Sequence, residues 1–478
     1  MKPPSSFVTL STLLQIAESL ATPATQDVQP RVLGFSIQRS QIRDPLANDR
    51  RRAQKRAGTV KATIDNLQTL YFLNATLGTP PQNVRLHLDT GSSDLWVNTP
   101  SSRLCSLKSQ PCSYGETYSA NASSTYSYIS SAFNISYVDG SGAAGDYATD
   151  TLRFSGKELT SLQFGIGYDS SSAQNIVGLG YPVNEALVAR KGVKPYQNLP
   201  AKLAADGVIA TSGYSLWLND LYADSGNVLF GGIDTAKFEG SLVSVPIQEV
   251  SGAYSQFFVT MTGLDIGSKK VASDAALAVL LDSGSSLTYL PNDMTSAIYQ
   301  TVGATYSDAE GVAFIPCTAR SQTANSSMTF RFSDPASVTV TMSEMILDLD
   351  DLTGKKLTYD NNVEACLFGI VPTGTSNSVL GDTFLRSAYV VYDLDSNEIG
   401  LANTKYNVTT SNVVEIQSGS IPSATKASNP VAATNGLPFG SGGGNTGGAS
   451  EKGSGVDTVV PPLAVVLLGA AAGVALLL

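Results

Sequence analysis

The chain has one histidine and four cysteines among 478 residues, and only 15% of its residues are charged. Each scarcity excludes a chemistry. A lone histidine, His87, with no tight cysteine pairs around it, leaves no ligand set for zinc, and no metal is expected. The same histidine would have to serve any Ser-His-Asp relay, yet it sits in an apolar run, 84–88, that reads as a strand interior. Basic residues are outnumbered, 30 Lys and Arg against 40 Asp and Glu, so nucleic acid is not an expected partner. The glycines at Gly178, Gly180, Gly231 and Gly232 lack the strand-to-helix spacing of a phosphate loop, and no cofactor is expected.

Against these absences stand two related stretches, Leu88-Asp89-Thr90-Gly91-Ser92-Ser93 and Leu281-Asp282-Ser283-Gly284-Ser285-Ser286. Each follows an apolar run that reads as a buried strand and then drops a carboxylate into a glycine turn. A carboxylate beside such a strand carries a large penalty unless it is hydrogen-bonded, so its appearance twice suggests a purpose. A later echo follows each: Ile176-Val177-Gly178 lies 89 residues beyond Asp89 and Val379-Leu380-Gly381 lies 99 beyond Asp282, counted to the glycine. Matched halves of this kind read as a duplicated lobe, with Asp89 and Asp282 meeting as one pair. An Asx turn between strands would explain either motif alone, but not both in matched context.

Two carboxylates sharing one proton can hydrolyse a peptide bond without metal or covalent nucleophile. The ionised member takes a proton from water while the protonated member polarises the carbonyl. In that scheme Gly91 and Gly284 let backbone N–H groups approach the carboxylates. Ser92 and Ser285 donate to the outer oxygens, and Thr90 and Ser283 tie the two turns together.

The ends of the chain differ from its middle. Residues 1–21 combine Lys2 with a modest apolar stretch and small residues at the end, the pattern of a signal peptide. Residues 22–56 are basic and read as a propeptide whose cations pair with carboxylates in an acidic cleft. A processing protease is expected to cut after Lys55-Arg56, so that the mature chain starts near Ala57. The middle is β-rich, with short helices expected over 199–206 and 293–302. Nearness in sequence pairs Cys105 with Cys112 and Cys317 with Cys366, one of the three connectivities that four cysteines allow.

Beyond the two aspartate turns, the chain contains Asn175-Ile-Val-Gly-Leu-Gly-Tyr-Pro182, Gly226-Asn-Val-Leu-Phe-Gly-Gly-Ile-Asp234, Val379-Leu-Gly-Asp-Thr-Phe-Leu-Arg386, Tyr389-Val-Val-Tyr-Asp393 and Ile399-Gly-Leu-Ala402. With these motifs, roughly residues 65–405 resemble the pepsin-like aspartic peptidases, and the short cysteine loop and C-terminal tail look most like the fungal yapsin and candidapepsin branch. The resemblance implies an all-β, bilobal fold with a pseudo-twofold axis and a cleft between an N-terminal lobe, 57–245, and a C-terminal lobe, 246–406. It also implies a flap at 134–142, with Tyr137, Asp139 and Gly140 facing substrate and Trp96 receiving the Tyr137 hydroxyl. Val138 stands where the family usually has glycine.

After residue 406 the composition turns to Ser, Thr, Asn and Gly, and 407–450 reads as a flexible stalk. A terminal apolar tail without a basic stop makes 451–478 a GPI-attachment signal, with Asn445 as the candidate attachment residue. Sequons at Asn74, Asn121, Asn134, Asn325 and Asn407 make a glycoprotein of it. The reading is therefore a secreted, GPI-anchored, monomeric aspartic endopeptidase that cuts proteins at the cell surface or wall in acid. The rival from another class is a catalytically silent cell-wall binding protein on the same fold, and a soluble vacuolar peptidase is disfavoured by the tail.

Overall fold

The computed structural model describes residues 30–42, 67–137, 140–322, 327–349, 356–359 and 362–438. The expectations for residues 1–21, Lys55, Arg56, Asp139, Asn325, Asn445 and 451–478 lie outside the described residues. Strands dominate, as the alternating apolar pattern predicts. In chain order they begin with β1 (Leu33–Ile42), β2 (Leu67–Leu77), β3 (Gln82–Asp89), β4 (Leu95–Asn98) and β5 (Ser127–Ser136). Next come β6 (Gly142–Phe154), β7 (Lys157–Ser170), β8 (Asn175–Gly178), β9 (Gly213–Trp217) and β10 (Ser225–Phe230). They continue with β11 (Gly232–Asp234), β12 (Phe238–Pro246), β13 (Phe258–Ile266), β14 (Lys269–Leu281) and β15 (Thr288–Leu290). The expected short helices occur at Leu199–Ala205 and Asn292–Val302.

One fourteen-stranded sheet runs from β5 at its edge through β6, β7, β4, β8, β3, β2, β1, β10 and β9. It then crosses into Ala388–Asp393, Glu398–Thr404, β12 and Ala424–Lys426. β13, β14 and β15 belong to a separate seven-stranded sheet that builds the second lobe. The two lobes repeat one local topology. β3 pairs in parallel with β8, which pairs antiparallel with β4. Likewise β14 pairs in parallel with Ser378–Leu380, which pairs antiparallel with β15. Such a threaded arrangement leaves the C-terminal end of β3 and of β14 pointing into a turn, which is where Asp89 and Asp282 stand.

The cysteines pair as nearness suggested. Cys105–Cys112 closes a short loop with Cα atoms 5.2 Å apart, and Cys317, just after the strand Val312–Pro316, joins Cys366 of the neighbouring strand Ala365–Phe368 across 5.0 Å. His87 lies inside β3, 2% exposed and 5.6 Å from the Phe72 ring, so it belongs to the core.

Two segments depart from the simple picture of loose ends. Residues 33–42, within the expected propeptide, form β1 in the middle of the large sheet, paired with β2 on one side and β10 on the other. Alternate residues Leu33, Phe35 and Ile37 enter the core, which is why this part of a basic segment is not a solvated tail. The flexible stalk expected from residue 407 is corrected over 407–438. Val413–Glu415 pairs with β11, Ala424–Lys426 runs parallel to β12, and Asn435 bridges to Leu277. Ile416 and Ile421 are buried with Trp217, Leu242 and Tyr389, so a few apolar residues in a polar stretch strap it to the body.

Candidate active site

The two aspartate turns are built alike. Asp89 accepts the Gly91 N–H on Oδ1 at 2.8 Å and the Ser92 hydroxyl on Oδ2 at 2.5 Å. Asp282 accepts the Gly284 N–H on Oδ1 and the Ser285 hydroxyl on Oδ2, both at 2.8 Å. Both carboxylates are buried, and these donors offset the desolvation that burial imposes.

The turns face one another. A Cβ added to Gly91 would lie 2.6 Å from Oδ1 of Asp282, and one on Gly284 would lie 2.5 Å from Oδ1 of Asp89. Each glycine is therefore required by the carboxylate of the opposite lobe, and only backbone fits there. Behind the carboxylates, Thr90 and Ser283 lock the turns reciprocally. The Thr90 hydroxyl donates to the Leu281 carbonyl (2.9 Å) and accepts the Ser283 N–H (2.9 Å). The Ser283 hydroxyl donates to the Leu88 carbonyl (3.1 Å) and accepts the Thr90 N–H (3.2 Å). The apolar-apolar-glycine echoes have their own reason. A Cβ on Gly178 would strike the Ser93 backbone, and one on Gly381 would strike the carbonyls of Ser285 and Leu287.

Over the first turn, β5 and β6 form a hairpin closed by Ser136 opposite Gly142, with Gly140 at a φ of 79°. Tyr137, at its tip, accepts the indole N–H of Trp96 at 2.7 Å, so the expected flap pair meets in space. Partial burial, with Asp89 as the next cause, holds the Tyr137 hydroxyl well above its ordinary titration range, keeping it a neutral donor and acceptor.

A model of the eukaryotic aspartyl protease family matches residues 70–404. The chain belongs to that family. It is 52% identical over 410 residues to a probable aspartic-type endopeptidase, opsB, of Aspergillus oryzae, covering 84% of this chain and 82% of that one. It is 33% identical over 386 residues to the aspartic proteinase yapsin-3 of Saccharomyces cerevisiae, covering 77% and 73%. These relatives support the fungal yapsin-like branch within the family and make the chain an aspartic-type endopeptidase. The solved aspartic proteinase of Irpex lacteus is similar in fold, with a TM-score of 0.59 at 20% identity, covering 80% of this chain and all of that one.

Other expected positions fall as follows. Asn74 and Asn121 are exposed, Asn134 lies half-buried on the flap, and the exposed Asn407 donates its side-chain amide to Asp220. Of the propeptide cations in described residues, Arg31 pairs with Glu415 at 3.2 Å, on the strap. Arg39 lies near Tyr71, Asp382, Glu344 and Arg386. Sequence reasoning missed that buried ionic group and also missed Asp94, which directly follows the first motif and is wholly buried. A third carboxylate directly after Ser92-Ser93 was the available signal.

Proposed function

We propose that this endopeptidase uses Asp89 and Asp282 as a single acid–base pair sharing one proton. Water between them loses a proton to the ionised carboxylate and attacks the peptide carbonyl carbon, while the protonated carboxyl hydrogen-bonds the carbonyl oxygen. The tetrahedral adduct then collapses as the leaving nitrogen takes a proton from the pair, and the C–N bond breaks. Tyr137 and Trp96 close the site from above and exclude bulk water. The observation that carries this reading is the reciprocal approach of each turn's glycine to the other turn's carboxylate.

The same reading extends to the life of the chain. The protein is exported, cut after Lys55-Arg56, and retained at the plasma membrane or wall by a GPI anchor added near Asn445. It acts there as a monomer on protein substrates. The exposed sequons, the paired cysteines and the terminal apolar tail support this. The test is cleavage of a denatured protein at about pH 4, with and without pepstatin, by wild type and by Asp89→Asn. Pepstatin-sensitive cleavage by wild type, reduced by about a thousandfold or more in Asp89→Asn, is expected. A folded wild type that cuts nothing would instead mark a silent binding protein. Phosphatidylinositol-specific phospholipase should release the protein from cells; retention of Leu478 at the surface would remove the anchor.

A further inference from the structure

Beneath the flap lies a pair of carboxyl groups that the reaction does not use. Asp94 accepts the hydroxyls of Tyr147 (2.8 Å) and Tyr196 (2.9 Å) on Oδ1 and the Ala186 N–H (2.7 Å) on Oδ2. It thereby ties the active-site turn to flap strand β6, to the loop at Tyr196 and to the start of the helix Ala186–Lys191. Glu185, just before that helix, is wholly buried. Its Oε2 accepts the Tyr196 N–H at 3.0 Å, and its Oε1 has no hydrogen-bond partner. Tyr196 thus serves both acids, giving its N–H to one and its O–H to the other. The surroundings are apolar: Trp96, Phe133, Ile135, Tyr147 and Ile176 pack together, with Tyr137, Ala186, Leu187 and Tyr196 against them.

The charged and titratable groups facing the pair are few. Tyr147 comes from β6, Tyr137 from the flap tip and Tyr196 from its loop. Arg190 of the helix acts on Asp94 but donates its own hydrogen bonds to the carbonyls of Ala186 and Ala132. One cation at the rim cannot neutralise two buried carboxylates, so one of them must hold a proton. Burial raises the Asp94 carboxyl as well, but three donors and Arg190 act against it there, whereas Glu185 has a single donor, so the proton rests on Glu185.

We propose that Glu185 is a positioning residue that works only as the neutral acid, holding the seat of the flap in acid and releasing it as it ionises. The proposal rests on the reading that this hairpin closes over a peptide cut by the Asp89/Asp282 pair. Burial first, and Asp94 after it, lift the Glu185 carboxyl from the ordinary 4.5 to about 9. For a carboxyl raised in this way, the folded state favours the proton. Its stabilisation is fully present below about 4.5 and is lost progressively as pH rises towards about 9.

The experiment compares wild type with Glu185→Gln, which preserves shape, an acceptor for the Tyr196 N–H and the neutral state at every pH. The melting midpoint of the variant should fall less than that of wild type between acid and neutral pH. Both limbs of kcat/KM, which the catalytic pair sets by gaining a second proton or losing its shared one, should stay in place. A uniform loss of stability and rate at all pH values would mean that Glu185 is merely structural, and would overturn the proposal. Should the variant fail to fold, the wild type bound to pepstatin and labelled with ¹³C at glutamate carboxyls gives the answer. One glutamate carboxyl carbon should keep its protonated shift at neutral pH; titration of every glutamate in the ordinary range would overturn the proposal. Absence of pepstatin-sensitive cleavage by wild type strikes the catalytic reading instead, so the two failures are distinguishable.

Discussion

The two halves of the site share their chemistry and differ in what stands behind it. At the first turn, the residue five places beyond Asp89 is Asp94, wired through tyrosines to the flap. At the second, the residue five places beyond Asp282 is Leu287, an apolar core side chain. The second turn finds its polar support elsewhere. Asp382 follows Gly381 and donates its N–H to the Ser285 carbonyl at 2.8 Å. One helical turn on, Arg386 is wholly buried and donates to the Glu344 carboxylate at 2.7 Å and to its carbonyl. Glu344 in turn accepts the Leu221 N–H. Gene-duplication-like symmetry holds where backbone geometry sets the carboxylates. It breaks where the first turn is wired to the hairpin strand β6 and the second to the buried Arg386–Glu344 pair.

The second half, with its fully buried ion pair, should therefore be the more sensitive to loss of charge. Arg386→Met removes the partner of Glu344 while leaving that carboxylate buried. A loss of about 3–5 kcal/mol is expected, read from denaturant unfolding. Replacing both members, with Glu344→Met added, should recover much of the loss, because the penalty comes from an unpaired buried charge rather than from the missing bond. If the double variant is no better than the single, Arg386 acts through packing alone.

The lock between the turns tests the symmetry itself. Thr90→Val and Ser283→Ala each delete one hydroxyl that makes one donated and one accepted bond across the interface. Each should destabilise by about 1–3 kcal/mol and lower kcat, and Thr90→Ser should restore most of both. Unequal losses would show that one lobe positions the pair more strongly than the other.

How much of this was legible in the sequence divides along the same line. The carboxylate turns, their glycines and the later echoes were readable because each is a short motif that recurs in the two halves, although what requires each glycine lies far off in sequence. The helices Leu199–Ala205 and Asn292–Val302 and the disulfide Cys105–Cys112 were readable because each is local. Asp94 and Glu185 lie far apart in sequence and meet through Tyr196, a residue with no signal of its own. Arg386 stood in the quoted motif, but its partner Glu344 lies 42 residues away. The strap over 407–438 was hidden by composition: Ser, Thr and Asn outnumber the few residues, such as Ile416 and Ile421, whose burial decides its course.

The first half should yield the smallest effect and the most informative one. Trp96→Phe keeps an aromatic ring in the cluster with Phe133 and Tyr147 but removes the N–H that the Tyr137 hydroxyl accepts. One hydrogen bond between neutral groups contributes about 1 kcal/mol, so a drop of about fivefold in kcat/KM is expected, with little change in melting temperature. A double-mutant cycle with Tyr137→Phe isolates the bond. If Tyr137→Phe adds nothing further in the Trp96→Phe background, the pair acts only through its hydrogen bond. If the losses add fully, the hydroxyl of Tyr137 has a second role over the substrate, and the flap contributes more to this lobe than its seat.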